Sequence, residues 1–180
     1  MLDLSSGLYR SLDGGQNWTN FWPDMKFRNK DFYNTGYIAA DVKNPATLYL
    51  SALGDKGSVL GSRFKVFRLT NADQKIFDSL DDSDIADISL ANGRQKIKRP
   101  GPLTVGLDGK LWLTQQQDSK NKIHAKLFVM NRPGSDRSFV DVTTEEYRKT
   151  ATSPSGIAVS ADGFIYVSQS GAGLVKLTPR

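Results

Sequence analysis

The sequence predicts an all-β fold assembled from a repeated antiparallel unit, and three observations predict it. Short segments rich in Val, Ile, Leu, Tyr and Phe are bounded by Gly, Pro, Asn and Asp, which is typical of strands and turns. No segment keeps a 3.6-residue apolar period over three helical turns. A strand–turn–strand pattern with an aromatic residue in its second strand recurs three times. A repeat of this kind predicts a β-propeller.

The repeated pattern reads ADVKNPATLYLS from position 40, TVGLDGKLWLT from position 104 and AVSADGFIYVS from position 158. Its second strand carries an aromatic residue at the same place each time. These residues are Tyr49, Trp112 and Tyr166, separated by 63 and 54 positions. Because Gly tolerates the positive φ of a tight hairpin, Asp108-Gly109 and Asp162-Gly163 are predicted to be hairpin turns.

Eleven strands are predicted in chain order. They are Gly7–Arg10, Tyr37–Asp41, Thr47–Ala52, Phe64–Leu69, Gly101–Val105, Lys110–Gln115, Lys126–Met130, Ser138–Val142, Gly156–Val159, Phe164–Gln169 and Gly173–Leu177. Helix is expected only locally, near Ser83–Leu90 or Thr144–Lys149. With four strands in each blade, the order is third and fourth strands, then two full sets, then the first three strands.

The number of blades bounds the architecture. At about 55 residues per unit, 180 residues make about three blades, whereas propellers typically close with four to eight. We therefore expect a single propeller-like unit over residues 1–180, with three to four four-stranded blades. Such a partial propeller would be completed by further blades of the same protein or of another subunit.

Composition excludes several classes of function. The net charge is +5, from 24 Lys+Arg and 19 Asp+Glu without a continuous basic stripe, so nucleic acid is not an expected partner. The absence of cysteine excludes disulfides, and His124 is the single histidine, so no metal or cofactor site is expected. No apolar run approaches the roughly 20 residues of a membrane helix, and the first ten residues lack the pattern of an export signal.

One motif carries a family resemblance. The segment SLDGGQNW, positions 11 to 18, fits the pattern S-x-D-x-G-x-x-W. It resembles the Asp-box, or BNR repeat, of sialidases, xyloglucan hydrolases, sortilin-type receptors and photosystem II assembly propellers. In such a turn Ser11 and Asp13 would bond the backbone, Gly14 and Gly15 would supply unusual φ, and Trp18 would pack on the blade. We therefore expect Asp13 to stabilise a turn, not to act as a catalytic acid.

A second segment, LSALGDKG from position 50, resembles the surroundings of a catalytic aspartate in the xyloglucanase family. That family hydrolyses β-glucan backbones in a cleft between two tandem propellers. The resemblance implies that Asp55 is a candidate catalytic carboxylate in a loop on the ligand face. Glycoside hydrolysis needs a second carboxylate, which we expect outside this chain. The alternative is that Gly54–Gly57 is an ordinary loop turn.

Three candidate ligand-binding residues are aromatic. The connection Phe21–Tyr33 holds five aromatic residues, and Trp22, Phe27 and Tyr33 are candidates for flat platforms on which sugar rings stack. The alternative is that these rings pack between blades.

Two further candidates are polar, Gln116 and Asp118 in the loop Gln115–His124. In a propeller this loop, the Phe21–Tyr33 connection and the loop Gly54–Ser62 emerge on one face, where aromatic planes and polar groups can form a ligand site.

Two functions remain open from the sequence. One is a carbohydrate-associated propeller module, with a glycan ligand, within a glycoside hydrolase that acts on β-glucan or xyloglucan. The alternative is a noncatalytic binding or scaffold propeller of the receptor or assembly-factor type. The family resemblance implies a secreted or cell-envelope location.

Overall fold

A computed structural model describes residues 8–22, 26–27, 30–54, 64–75, 83–171 and 173–178. Side chains are described for these residues except 8, 22, 26–27, 30–35, 52–54 and 64. Asp55, the candidate catalytic carboxylate, lies outside the described residues.

The described chain is composed almost entirely of strands. In order they are β1 (Leu8–Arg10), β2 (Thr19–Trp22), β3 (Lys26–Phe27), β4 (Lys30–Ala40), β5 (Leu48–Gly54), β6 (Phe64–Leu69), β7 (Ile85–Asp87), β8 (Leu90–Ala91), β9 (Gln95–Lys96), β10 (Pro100–Val105), β11 (Leu111–Gln115), β12 (Lys126–Met130), β13 (Val140–Asp141), the helix α1 (Glu145–Thr150), β14 (Pro154–Val159), β15 (Ile165–Gln169) and β16 (Gly173–Leu177).

The strands form successive antiparallel meanders, which confirms an all-β, propeller-like fold. The first blade is β4-β5-β6-β7, with β3 added at its inner edge. The second blade is β10-β11-β12-β13, and the third blade holds β14-β15-β16. The leading hairpin β1-β2 precedes them. The succession of a partial set, two full sets and a three-stranded set is as predicted, although β2, β3 and β7 were not among the eleven predicted strands. The strands β8 and β9 form an additional small hairpin between the first two blades.

The three blades share one register. Leu48 pairs with Leu69 in the first blade, Leu111 with Met130 in the second and Ile165 with Leu177 in the third. The repeated aromatic residues therefore face equivalent partners on the next strand. The pairs are Tyr49 with Arg68, Trp112 with Val129 and Tyr166 with Lys176.

In the second and third blades the first strand, called here the inner strand, approaches the second strand closely at one glycine. A Cβ atom at Gly101 would lie 2.7 Å from Thr114 Oγ1, and one at Gly156 would lie 2.7 Å from Ser168 Oγ. The strand register shifts at these places. A larger side chain would therefore force the first two strands of the blade apart.

The predicted turns and one of the two predicted local helices are confirmed. Gly109 and Gly163 have φ of 83° and 86°. Helix α1 begins after Thr144, whose side chain accepts a hydrogen bond from the Tyr147 N–H, as a good N-cap does. None of the described helices is long and apolar enough to cross a membrane.

The predicted helix near Ser83–Leu90 is wrong. The segment contains β7, which pairs with β6, and reaches the start of β8. The Ile88 N–H donates to Val66 O at 2.9 Å, so tertiary pairing with the third strand outweighs the weak local preference.

Alternate residues of a strand face opposite neighbours, and this divides the core into two inter-blade gaps. The first gap, between the first and second blades, buries Tyr49, Val66, Leu111, Leu113, Phe128 and Met130. The second gap, between the second and third blades, buries Trp112, Leu127, Val129, Ile165, Val167 and Leu177.

Candidate functional site

The upper edge of each blade is defined here as the edge where its first strand begins and its second strand ends. Pro100 pairs with Gln115 at this edge of the second blade, and Pro154 pairs with Gln169 in the third. In the first blade the paired backbone reaches Gly54, directly before Asp55. The loops on either side of these strand ends are therefore brought to one edge of the sheets.

Two glutamines stabilise the upper edge in the same way. Gln115 Oε1 accepts a hydrogen bond from the Lys98 N–H at 2.9 Å, and Gln169 Oε1 accepts one from the Thr152 N–H at 2.7 Å. Each donor stands two residues before the proline that begins the inner strand. Gln115 also donates to His124 O at 2.9 Å, which closes the loop Gln115–His124 at its far end. The loop thus leaves and rejoins the blade at fixed points.

Gln116 and Asp118 are held in this loop by different elements. The Gln116 N–H donates to Arg99 O at 3.0 Å, and its side-chain amide lies 3.4 Å from the Tyr37 hydroxyl of the first blade. Asp118 Oδ2 lies 2.8 Å from Arg99 Nη1 and accepts a hydrogen bond from Asn121 Nδ2 at 2.8 Å. We call these five residues the upper-edge cluster.

Asp118 is an anion at neutral pH. The Asn121 side chain and the Arg99 guanidinium hold the pKa of its carboxyl group below the usual value, although partial burial opposes them. A carboxylate of this kind accepts hydrogen bonds from hydroxyl groups, but it is a poor proton donor. Asp118 therefore suits ligand recognition better than general acid catalysis.

Arg99, Tyr37 and Asn121 were not singled out from the sequence. Arg99 has a φ of 51° directly before Pro100, a left-handed conformation that non-glycine residues seldom adopt. Its position immediately before the proline that begins an inner strand is a feature of the sequence from which it could have been identified. Tyr37 lies on an inner strand of the neighbouring blade, and only the packing of the blades brings it to Gln116.

The three aromatic candidates lie on described backbone, but their side chains are outside the described part. Trp22 ends β2, Phe27 ends β3 and Tyr33 is in β4. The residue before Tyr33, Phe32, pairs with Gly54. The backbone thus brings the Phe21–Tyr33 connection and the strand end before Asp55 to the same edge, while the ring positions stay a prediction.

The turn between β1 and β2 forms a closed hydrogen-bond network. Asp13 Oδ1 accepts from the Asn17 N–H at 2.9 Å and from Ser11 Oγ at 2.8 Å, while Ser11 Oγ accepts from the Gly15 N–H at 2.8 Å. These bonds lower the pKa of Asp13 to about 2, with the Asn17 backbone bond first among them. Gly14 and Gly15 have φ of 72° and 93°. Asp13 is a turn acceptor in this arrangement.

Trp18 corrects one detail of this expectation. Its Nε1 donates to Gly15 O at 3.0 Å, so the indole lies across the turn. The side chain is 62% exposed and only borders a shallow depression with Phe21 and Leu48. The bond to the turn, and not burial on the blade, fixes the indole.

Within the described residues, no group of three or more His, Cys, Asp or Glu side chains is placed to hold a metal ion.

Comparison with known proteins identifies a fold. No family model matches the chain, and no curated protein matches it. It is similar to the X-ray structure of a putative gluconolactonase, with a TM-score of 0.57 and 17% sequence identity. The match covers 97% of this chain and 54% of that one, so this chain spans about half the length of the neighbour. At this identity the likeness shows a β-propeller-like fold alone.

Proposed function

We propose that this chain is a carbohydrate-binding β-propeller module whose ligand site is the upper edge of the first and second blades. The observation that carries the proposal is the upper-edge cluster, in which Gln116, Asp118 and Arg99 present amide, carboxylate and guanidinium groups beside the Tyr37 ring. Sugar hydroxyls both donate and accept hydrogen bonds, and a few convergent polar groups beside an aromatic ring suit them.

Binding of β-glucan and xyloglucan oligosaccharides, measured by calorimetry, tests this site. Asp118→Asn should weaken binding by at least about tenfold, since a hydrogen bond to a charged group contributes roughly 1.5–3 kcal/mol. Gln116→Ala should weaken it by about fivefold, since a neutral hydrogen bond contributes about 1 kcal/mol. Asp162→Asn is the matched control, because Asp162 lies in the hairpin turn at the opposite edge of the third blade. Equal loss in all three variants, or no glycan binding by the wild type, would contradict the proposal.

A glycoside hydrolase is the second candidate. It is favoured by one observation, that β5 brings Gly54 to the upper edge directly before Asp55. If Asp55 is the catalytic carboxylate, Asp55→Asn should keep glycan affinity and lose hydrolysis. Wild type that binds glycans without hydrolysing them would leave the noncatalytic module as the function.

We further propose that the β1–β2 turn is an Asp-box of the BNR type. The support is the Ser11–Asp13–Gly15 hydrogen-bond network and the two positive-φ glycines. Asp13→Ala should lower the melting temperature and leave glycan affinity unchanged. A large loss of affinity at an unchanged melting temperature would refute a structural role.

Completion of the ring and the location of the protein belong to the same proposal. The propeller would be completed by further blades of the same protein or by a second subunit, which the mass in solution tests. A monomer with a closed core would contradict it. Secretion or attachment to the cell envelope fits a glycan ligand, and fractionation of the source cells tests this.

A further inference from the structure

The hairpin β8-β9 and the residues after it carry a run of basic side chains. Arg94, Lys96 and Lys98 stand at every second position from the end of its turn, and all three are exposed. Ile97, between the two lysines, is 3% exposed, and its N–H donates to Ser89 O at 2.9 Å. Because alternate residues of an extended chain face opposite sides, Lys96 and Lys98 extend away from the core, with Cα atoms about 7 Å apart.

This run of cations leads into the upper-edge cluster. The Lys98 N–H donates to Gln115 Oε1 at 2.9 Å, which fixes the backbone of Lys98 at the upper edge. The next residue, Arg99, belongs to the cluster and pairs with Asp118. The groups proposed above to bind sugar hydroxyls therefore adjoin an exposed lysine.

The loop Gln115–His124 supplies two more cations. Backbone hydrogen bonds of 2.9 and 2.8 Å between Asp118 and Ile123 close a short turn in this loop. Lys120 and Lys122 lie in that turn, and both are exposed. Together with the run from the hairpin they form what we call the basic surface, which consists of Arg94, Lys96, Lys98, Lys120 and Lys122.

The charge of the basic surface is not neutralised by the residues that adjoin it. Within the described part of the chain, none of its five side chains forms an ion pair. Aspartates on the adjoining strands and loop are held by other cations. These pairs are Asp87 with Lys65, Asp118 with Arg99 and Asp141 with Lys126. Unpaired cations grouped in this way attract a partner that carries several negative charges.

A polysaccharide with carboxylate groups uses both parts of this edge. A single exposed ion pair contributes little in water, so a ligand gains affinity only when its carboxylates repeat along its length and meet several lysines together. Gln116 and Asp118 beside these lysines suit hydroxyl groups. The anionic Asp118 opposes the dense phosphate charge of a nucleic acid, whereas a sugar hydroxyl donates to it.

We propose that the basic surface binds the carboxylate groups of an acidic polysaccharide while the upper-edge cluster binds hydroxyl groups of the same chain. This inference rests on the proposed carbohydrate function and names the class of glycan, a polyuronate.

The test compares an oligogalacturonate with its methyl ester, which has the same sugar backbone without the charge. In calorimetry at low ionic strength the acid form should bind about tenfold more tightly, as expected of several weak ion pairs that act together. This advantage should shrink as sodium chloride is added, because salt screens exposed charges. Polyglutamate with the same number of carboxylates, but without sugar, should bind more weakly than the oligogalacturonate.

Matched variants separate the basic surface from net charge. The double variant Lys96→Gln and Lys98→Gln should remove most of the advantage of the acid form and leave affinity for the methyl ester unchanged. Lys110→Gln with Lys176→Gln removes the same charge and should keep the advantage. Lys110 adjoins the hairpin turn at the opposite edge of the second blade, and Lys176 lies in β16. Equal melting temperatures of the two double variants establish that both are folded.

The outcomes distinguish this inference from the proposed function. Gln116→Ala should weaken both sugar forms alike, which tests the upper-edge cluster alone. Equal affinity for acid and ester, both weakened by Gln116→Ala, would keep the carbohydrate module and overturn the role of the basic surface. Equal losses in the two double variants, or binding of polyglutamate or a DNA oligonucleotide as tight as that of oligogalacturonate, would also overturn it. Binding of neither sugar form would contradict the proposed function as well.

Discussion

The two inter-blade gaps are built on one register and filled differently. In the first gap Arg68 donates a hydrogen bond to Pro133 O of the neighbouring blade, and the Tyr49 hydroxyl donates one to Asp41 Oδ2. In the second gap the equivalent residues are Val129 and Trp112, and a cavity of about 410 Å³ remains. The first gap also holds a space, of about 480 Å³, whose lining includes Arg68 and Gly134. Backbone pairing therefore sets the fold of a blade, while the residue at one position of the third strand sets whether a side chain bridges the adjacent gap.

The largest expected effect compares one substitution in both gaps. Leu113→Ala removes a fully buried side chain from the first gap and should lower the free energy of unfolding by about 4 kcal/mol. Leu127→Ala removes one that borders the existing cavity, so fewer packing contacts are lost and about 2 kcal/mol is expected. Urea unfolding followed by circular dichroism measures both. Equal losses would show that the second gap is packed as tightly as the first.

Arg68→Val gives the first blade the residue that the second blade has at the equivalent position, Val129. Two hydrogen bonds from a guanidinium to backbone carbonyls are lost, and we expect the free energy of unfolding to fall by about 2 kcal/mol. Arg132→Val is the matched control, because its side chain is 81% exposed and pairs with Asp136 at the surface. A control loss as large as that of Arg68→Val would remove the inter-blade explanation.

Val129→Leu is expected to act in the opposite direction. One added methylene enters the cavity in the second gap, and a gain of about 0.5–1 kcal/mol is expected. Urea unfolding followed by circular dichroism measures this change in the free energy of unfolding as well. Destabilisation by more than about 1 kcal/mol would indicate that the valine is already tightly packed.

The gaps differ, but the first two blades hold their fourth, outer strand with the same set of hydrogen bonds. In each, an aspartate of the fourth strand accepts hydrogen bonds from a lysine of the third strand and from a hydroxyl two residues further on. The members are Lys65, Asp87 and Ser89 in the first blade and Lys126, Asp141 and Thr143 in the second. Burial raises the pKa of both carboxyl groups, but the hydrogen bonds outweigh it, so each pKa lies below its usual value.

These networks predict a loss of stability in acid. A carboxyl group with a lowered folded-state pKa stabilises the fold above its unfolded pKa of about 3.9, and the contribution is lost as the pH falls through the folded value. The urea midpoint should therefore fall on acidification below about pH 4. In the double variant Asp87→Asn and Asp141→Asn the midpoint should start lower and depend less on pH. A pH profile identical to that of the wild type would exclude the two networks as its source.

Much of the fold could be predicted from the sequence, because each blade repeats a local signal. Strand, polar turn and aromatic strand recur with little change, and a local helix was expected near Thr144–Lys149. Strand β7 was missed since it has three residues and its pairing with β6 is a tertiary effect. Of the candidate site, only Gln116 and Asp118 could be identified from the sequence. Their partners Arg99 and Tyr37 come from an earlier loop and another blade, which no local pattern connects.

The cavity was inaccessible for a different reason. Val129 and Gly106 stand where the first blade has Arg68 and Asp41, and this equivalence becomes visible only when the register of the blades is known.

The residue at one position of the third strand, Arg68 or Val129, should set how much space is left in the adjacent gap, and the volume change of unfolding under pressure measures that space. Pressure destabilises folded proteins in proportion to the internal void that unfolding removes. The volume change should be more negative than in the wild type for Arg68→Val, which enlarges the space in the first gap, and less negative for Val129→Leu, which fills part of the second. Volume changes that are equal in all three proteins, or shifted in the same direction, would contradict the account.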